Sequence, residues 1–397
     1  TLFRSTHPTT IHEDQPIAGP AWKPELWLGG TWNGMSAATL LKDLEKTAGL
    51  PGLQTRLIDH GWINEHSTTL LEPKDEYLYA INTHLQAGID IILWISPWVQ
   101  ADTPLWHACN TKKWFTCDQH NNSQTFAVVG TGEVQGSYLD FSNPEVVDAW
   151  QVALKKLTDT GIKGFKLDFG DNLPDAAGMN GQIPGITRRT GYPDYAGRAT
   201  KISDDTIVIV RAGYNTNPST VGYWTGDQDC SMSRFNGLAS ILEMLKTAQH
   251  AGYRYTGFDI AGYFGDGSEH EYAAWQQLAC ATTYAMYHGL GVRHPGNRGN
   301  TARAGHKELV AIRQTITEHS PTFHHLGTWA SGISHGMFHS QRQDENIIVA
   351  VAAGRDKIPA VLPEGTWMSW SGKTYHGGQT HILTGTDATW PILIRSS

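Results

Sequence analysis

The sequence predicts an α/β fold: a closed (β/α)8 TIM barrel followed by a small C-terminal antiparallel β domain. The first observation is a recurring order in which a short apolar strand is followed by an amphipathic helix. The second is that the clearest strand, Ile89–Ile95, is almost continuously apolar, which is typical of a parallel strand covered on both faces. The third is a change at about Thr328 to short β-like segments with glycine-rich turns, which is typical of antiparallel sheet.

Eight segments have the character of barrel strands, and helical periodicity lies between them. The predicted strands are Leu26–Gly30, Gln54–Asp59, Ile89–Ser96, Gly164–Phe169, Thr206–Arg211, Gly222–Asp227, Arg254–Ile260 and Gly289–His294. The predicted helices are Ala37–Thr47, Tyr77–Ala87, Pro144–Thr158 and Phe235–Ala251. Eight strands that alternate with helices favour closure into a barrel over an open doubly wound sheet.

This pattern divides the chain into three parts. We expect an N-terminal extension over residues 1–22, the barrel over residues 23–325 and a sandwich-like β domain over residues 326–397. The stretch Cys109–Gly136 is too long for an ordinary connection between the third and fourth strands. We therefore expect a lid or a small excursion there.

Composition and charge exclude several classes of partner. The formal net charge of −8 argues against nucleic acid, and no apolar run reaches the ~20 residues that a membrane span needs. There is no CxxC pair and no metal-ligand spacing of histidines, so we expect no metal and no other cofactor. The spacing of Cys109 and Cys117 fits either a disulfide or two thiols. A start without Met is typical of a processed or trimmed chain, and a sequon at Asn121 favours a secreted or periplasmic protein, with a cytoplasmic one left open.

Charged residues cluster at the predicted C-terminal strand ends, where a parallel barrel carries its chemistry. Asp59, Asp168, Asp227 and Asp259 end the second, fourth, sixth and seventh strands, and Arg211 ends the fifth. Cleavage of a glycosidic bond needs one carboxylate at the anomeric carbon and one carboxylic acid that protonates the departing oxygen. A lone strand-end aspartate is more often a helix cap or a loop hydrogen-bonding group. The interpretation therefore depends on the cluster across several strands.

The segments around these strand ends, in their order and spacing, resemble those of glycoside hydrolase family 31, the retaining α-glycosidases. The resemblance runs from about Trp22 to the C-terminus. The segment Lys166–Asp171 resembles the nucleophile segment of that family, with Asp171 where Glu is common. The segment Trp224–Gln228 resembles its acid/base segment, and Phe258–Gly262 resembles its Asp-Ile-Gly-Gly segment.

The resemblance assigns roles to individual residues. It implies that Asp168 is the nucleophile and that Asp227 is the acid/base. The candidate substrate-binding residues are Asp59, Trp62, Trp94, Lys166, Arg211, Trp224, Asp259 and His294. His288 is a rival for the place of His294, and Trp32 is a further candidate platform for a sugar ring.

The implied function is that of a retaining, exo-acting α-glycoside hydrolase. It would act through a covalent glycosyl-enzyme on α-glucosides or α-galactosides of oligosaccharides. Three alternatives stay open: a transglycosylase with the same pair, a sugar-binding barrel without catalysis, and an unrelated metal-dependent barrel enzyme. Members of the family usually carry a β-sandwich before the barrel, whereas residues 1–22 precede it here, in either a natural minimal form or a trimmed chain. An open rim of this kind favours a homo-oligomer in which a second copy supplies the missing wall.

Overall fold

A computed structural model describes residues 25–29, 36–47, 49–118, 120, 122–127, 134–170, 173, 185–213, 221–289, 293–334, 337–351 and 356–396. The sequence predictions at Trp32, Asn121 and Asp171 lie outside these residues.

A closed parallel barrel forms the larger part of the molecule. Its strands are Glu25–Gly29, Leu53–Ile58, Asp90–Ile95, Gly164–Leu167, Ile207–Val210, Gly222–Trp224, a seventh strand in two parts (Tyr255–Gly257 and Asp259–Ile260), and Tyr284–His288. Each strand neighbours the next, and the first pairs with the eighth. The two parts of the seventh strand pair with the sixth and the eighth strands respectively, which closes the barrel. The predicted fold class is confirmed.

The eighth strand lies earlier in the chain than predicted. It is Tyr284–His288, all of it buried, and not Gly289–His294. Gly289 has a φ of 93°, a conformation that favours glycine, so the chain leaves the strand where the prediction began it. The Tyr284 ring packs directly on Gly257, next to the break in the seventh strand. A Cβ added at Gly257 would lie 2.1 Å from that ring, so the position has room only for glycine.

The helices surround the barrel and join its strands. They are Ala37–Thr47, Asp75–Gln86, Pro104–Thr111, Pro144–Thr158, Gly185–Thr200, Leu238–His250, Glu269–Ala279, Pro295–Arg298, Asn300–His319, Phe323–Leu326 and Thr386–Thr389. The helix Pro144–Thr158 begins as predicted. The Asn143 side chain accepts a hydrogen bond from the Glu145 N–H, and Pro144 takes the first helical position, where no N–H is needed.

The predicted excursion after the third strand is a small subdomain. The strands Trp98–Gln100, Phe126–Ala127 and Gln135–Tyr138 form an antiparallel sheet beside the helix Pro104–Thr111. The excursion therefore begins about ten residues before Cys109. Cys109 and Cys117 are buried there as thiols, without a disulfide between them.

The C-terminal region forms an antiparallel β domain, as predicted. Its strands are Thr328–Ser334, Met337–Gln343, Ile347–Val351, Lys357–Leu362, Thr366–Ser369, Thr374–His376, Gln379–Thr384 and Ile392–Arg395. Six of them form one sheet and two form another. Because side chains alternate along a strand, Ile347 and Val349 pack with the barrel helices while Ile348 and Ala350 pack within the β domain.

Candidate active site

A cavity of about 340 Å³ lies at the C-terminal ends of the barrel strands. Charged and titratable side chains from five strand ends line it: Asp59, Lys166, Asp168, Arg211, Asp227 and His288. The cavity is also lined by residues of the loop after the second strand and of the excursion after the third. The strand ends that carry Asp59, Asp168 and Asp227, three of the four predicted acids, therefore meet around one space.

Asp168 lies at the wall of the cavity and is 6% exposed. Its Oδ2 accepts a hydrogen bond from the indole N–H of Trp94 at 2.8 Å. Its Oδ1 accepts one from the backbone N–H of Phe169 at 2.7 Å. Phe169 adopts a φ of 61°, a left-handed conformation that costs a residue with a Cβ roughly 1–2 kcal/mol. This turn directs the Phe169 N–H back onto the carboxylate, so local strain positions Asp168.

Asp227 shares one cation with Asp168. Arg211 Nε lies 2.7 Å from Asp168 Oδ1, and Arg211 Nη2 donates to Asp227 Oδ2 at 2.7 Å. The side chain of Asp227 is 27% exposed, whereas that of Asp168 is 8% exposed. The two predicted catalytic carboxylates therefore stand at one guanidinium, with Asp227 nearer to solvent.

Asp59 and His288 form a second buried pair in the cavity. His288 Nε2 lies 3.0 Å from Asp59 Oδ2, and the His60 backbone N–H donates to Asp59 Oδ1 at 2.7 Å. Burial alone would raise the pKa of Asp59, but the His288 hydrogen bond, together with the charges of His288 and Lys166, brings that pKa below its usual value. Asp59 is therefore held as an anion.

Asp259 has a different environment. It is 1% exposed, and its Oδ2 accepts a hydrogen bond from the Trp224 indole at 3.2 Å. Its Oδ1 is a buried atom without a hydrogen-bond partner among the described residues. Burial raises the pKa of Asp259, and the neighbouring Asp227 charge adds to this, although His288 and Lys166 oppose it.

Trp224 lies beneath the charged groups. Lys166 Nζ is 3.3 Å from the centroid of the Trp224 ring, and the Arg211 guanidinium carbon is 4.7 Å from it. Lys166 shares the inward face of the fourth strand with Asp168 because side chains two residues apart point the same way. Trp224 is 1% exposed, so it supports both cations and offers a sugar little open ring face.

Two predicted substrate-binding residues lie elsewhere, which corrects the sequence interpretation. Trp62 is 0% exposed within the apolar core, and its indole donates to the backbone oxygen of Trp94. His294 is fully buried and caps the helix Pro295–Arg298, where its Nδ1 accepts from the Gly296 N–H. Neither residue lines the cavity, and the rival His288 does. Of the other predicted residues, Asp259 lies behind the lining, bonded to Trp224.

Sequence reasoning also missed several residues of the cavity. Tyr263, Phe264, Phe169 and Trp98 line it, and none of them was predicted as a site residue. The available signal was position, since Phe169 follows Asp168 directly and Tyr263 and Phe264 follow the seventh strand within a few residues.

The described ranges also bear on metal sites and membrane spans. Across these ranges no group of three or more His, Cys, Asp or Glu side chains is placed to hold a metal ion. None of the described helices has the length and apolar character that crossing a bilayer requires.

Comparison with known proteins gives the family. The model of the glycosyl hydrolases family 31 TIM-barrel domain matches residues 47–319, more than half of the chain. The chain belongs to glycoside hydrolase family 31. The barrel that carries Asp168 and Asp227 is therefore a family 31 barrel.

Other family 31 similarities extend over most of the chain. An α-xylosidase of Lactiplantibacillus pentosus is 22% identical over 429 residues, which cover 96% of this chain and 54% of that protein. A sulfoquinovosidase of Escherichia coli (strain K12) is 24% identical over 341 residues, with 75% and 48% covered. The structure of a cycloalternan-degrading enzyme from Trueperella pyogenes in complex with isomaltose has a TM-score of 0.77 and 20% identity, with 95% and 63% covered. This last similarity shows the fold, and the chain spans about half the length of the curated relatives.

Proposed function

We propose that this chain is a retaining, exo-acting α-glycoside hydrolase in which Asp168 is the nucleophile and Asp227 the acid/base. The observation that carries the proposal is the contact of both carboxylates with Arg211 at the wall of one cavity. A barrel used only to bind sugar has no need of two acids at one reacting carbon. The pair therefore favours an enzyme.

The first step is displacement at the anomeric carbon. Asp168 attacks that carbon and forms a glycosyl ester as the bond to the leaving oxygen breaks, and Asp227 gives its proton to that oxygen. In the second step Asp227 takes a proton from water, whose oxygen displaces Asp168 and restores the carboxylate. The buried Asp168 suits the nucleophile, and the partly exposed Asp227 suits proton exchange with solvent and with the leaving group.

Retention of configuration requires a short distance between the two carboxyl groups. Retaining pairs stand ~5–5.5 Å apart, whereas inverting pairs stand ~6.5–9.5 Å apart to admit a water molecule. Asp168 and Asp227 contact Nε and Nη2, neighbouring nitrogens of one guanidinium. This arrangement supports the shorter separation and therefore retention.

The buried anions support recognition of a single terminal sugar. Asp59 and His288 line the cavity as a nearly inaccessible pair, and we propose that they bind hydroxyl groups of the sugar whose bond is cleaved and close the cavity beyond it. This supports exo action. We propose α-glucosides of oligosaccharides as substrates, with α-galactosides as the other candidate. Because one of the relatives is named an α-xylosidase, α-xylosides should be tested beside these two substrate classes.

The test is to follow hydrolysis of nitrophenyl α-glucoside, α-galactoside and α-xyloside, with proton NMR of the first sugar released. We expect turnover of at least one of them, with the α anomer appearing before mutarotation. The β anomer as first product would overturn retention. A transglycosylase would be distinguished by transfer products that outweigh free sugar at high acceptor concentration.

A further inference from the structure

One exposed aromatic ring stands at the mouth of the cavity. Among the exposed large apolar side chains in the described part of the chain, Phe264 at 52% exposure is the one that also lines the cavity. A half-exposed phenyl ring that lines a cavity offers apolar surface whose burial by a bound ligand is favourable. No role in the chemistry described above uses this ring.

The backbone of Phe264 is tied to the segment that follows Asp227. The Phe264 N–H donates to the Gln228 oxygen at 2.9 Å, and the Cys230 N–H donates to the Phe264 oxygen at 2.9 Å. The two loops approach so closely that a Cβ added at Gly262 would lie 2.7 Å from the Gln228 oxygen. Phe264 is therefore on the acid's side of the cavity, where the leaving group departs.

The ring of Phe264 is also held from the side. Tyr263 packs edge-on against it, with ring centroids 4.7 Å apart and an interplanar angle of 84°. Tyr263 in turn packs against His288, the partner of Asp59, at 4.7 Å. A continuous set of contacts thus connects the buried sugar-binding end of the cavity to the ring at its mouth.

We propose that Phe264 is the platform on which the leaving group stacks, and so a specificity-determining residue for the group beyond the scissile bond. The occupant is a leaving group with a flat apolar face, either a second sugar ring or an aryl group. The proposal rests on the proposed function because it takes the bond broken beside Asp227 as its reference point. Aromatic contacts of this kind change kcat/KM by about tenfold.

Phe235 offers a matched control. It is 97% exposed and lies in the loop after the sixth strand, which also carries Asp227, but it does not line the cavity. Its N–H is held by the Ser233 hydroxyl, so it too stands on an ordered turn. A general effect of removing an exposed phenyl ring near the site would be the same at both positions.

The experiment compares Phe264→Ala, Phe264→Leu, Phe264→Trp and Phe235→Ala with the wild type. The substrates are α-glucosyl fluoride, nitrophenyl α-glucoside and isomaltose, and thermal unfolding checks each variant. For Phe264→Ala and Phe264→Leu we expect kcat/KM to fall about tenfold on the aryl glucoside and isomaltose, mainly through KM. We expect less than a twofold fall on the fluoride, whose leaving group has no face to stack. Phe264→Trp keeps an aromatic face and should retain the wild-type kcat/KM, and Phe235→Ala should match the wild type.

The other outcomes are equally informative. An equal fall on all three substrates would mean that Phe264 only supports the fold of the site, which overturns the proposal. No fall on any substrate would mean that the ring contacts no leaving group, and only this inference would fail. A wild-type chain that turns over neither these substrates nor the galactoside and xyloside would remove the proposed function, and this inference with it.

Discussion

Two pairs of aspartates at the ends of the barrel strands have opposite surroundings. Asp168 and Asp227 meet at Arg211, a cation that is itself partly exposed. Asp59 and Asp259 are buried, and their partners are His288 and Trp224 respectively. The first pair shares a counter-charge and has access to solvent through Asp227 and Arg211, which chemistry with proton transfer needs. The second pair has buried partners, an imidazole and an indole, which suit recognition of hydroxyl groups.

This comparison shows that a strand-end aspartate is defined by its partner and not by its position. In the sequence prediction each of the four aspartates is the last or the next-to-last residue of its strand. Only the three-dimensional structure separates a carboxylate that shares a guanidinium from one that receives an indole N–H. The predictions below test that separation.

The largest effect is expected from Asp168→Ala. Removal of the nucleophile should lower kcat by at least about 10³-fold on an aryl α-glycoside, since covalent catalysis is lost. Asp229→Asn is the control, because Asp229 follows the same strand end as Asp227 but accepts a hydrogen bond from Ser231 and does not line the cavity. Similar rates for wild type and Asp168→Ala would reject the nucleophile assignment.

A somewhat smaller and selective effect is expected from Asp227→Ala. General acid catalysis contributes roughly 10²–10⁴-fold, and only a poor leaving group needs the full contribution. We expect a loss of that size on a disaccharide and about tenfold or less on a dinitrophenyl glycoside. Steady-state kinetics on both substrates checks this. Equal losses on the two substrates would place the acid elsewhere.

The second pair of aspartates should differ from each other in the pH dependence of stability. The pKa of Asp59 is lowered, so its contribution to stability is present above its unfolded pKa and is lost as the pH falls. The pKa of Asp259 is raised, so its ionisation opposes folding as the pH rises. Asp59→Asn should therefore cost about 1.5–3 kcal/mol at pH 7, the usual worth of a hydrogen bond to a charged group.

For Asp259→Asn we expect the opposite sign, a small gain in the free energy of unfolding at pH 7 that disappears in acid. Urea unfolding of both variants between pH 4 and pH 8 gives the comparison directly. If the two substitutions change the free energy of unfolding in the same direction at every pH, the contrast drawn between these residues is wrong.

The smallest effect is expected at Ala261, two residues after Asp259. Ala261 has a φ of 66°, which costs a residue with a Cβ roughly 1–2 kcal/mol. Ala261→Gly relieves this strain. The substitution also costs roughly 0.5–1 kcal/mol, because glycine loses more backbone entropy on folding than alanine does. We expect a gain of about 1 kcal/mol or less in the free energy of unfolding, with kcat/KM unchanged, measured by chemical denaturation. A clear loss of stability would contradict the strain.

The fold was largely predictable because its signals are local. Continuous apolar strands such as Asp90–Ile95 and Ile347–Val351, and the cap at Asn143, each depend on near neighbours in the chain. The eighth strand was misplaced because Tyr284–His288 contains no β-branched residue, whereas the predicted range Gly289–His294 contains Val292.

The acids of the site could be predicted from the sequence, but the aromatic residues around them could not. Strand ends of a parallel barrel converge, so Asp168, Asp227 and Arg211 could be grouped from spacing and resemblance. Whether a tryptophan faces a cavity or the core depends on packing between distant segments, which is why Trp94 and Trp62 had equal standing in the sequence. The same limit hid Phe264, whose exposure depends on a loop contact with Gln228.

The most direct test of the account is to trap the covalent intermediate. The wild-type chain is incubated with 5-fluoro-α-glucosyl fluoride, and the intact mass and the peptide that carries the added sugar are determined by mass spectrometry. We predict one added fluoroglucosyl group, attached to Asp168 through an ester bond, and none in Asp168→Ala. A sugar attached to another carboxylate, in an enzyme shown to turn over α-glucosides, would contradict the assignment of the nucleophile.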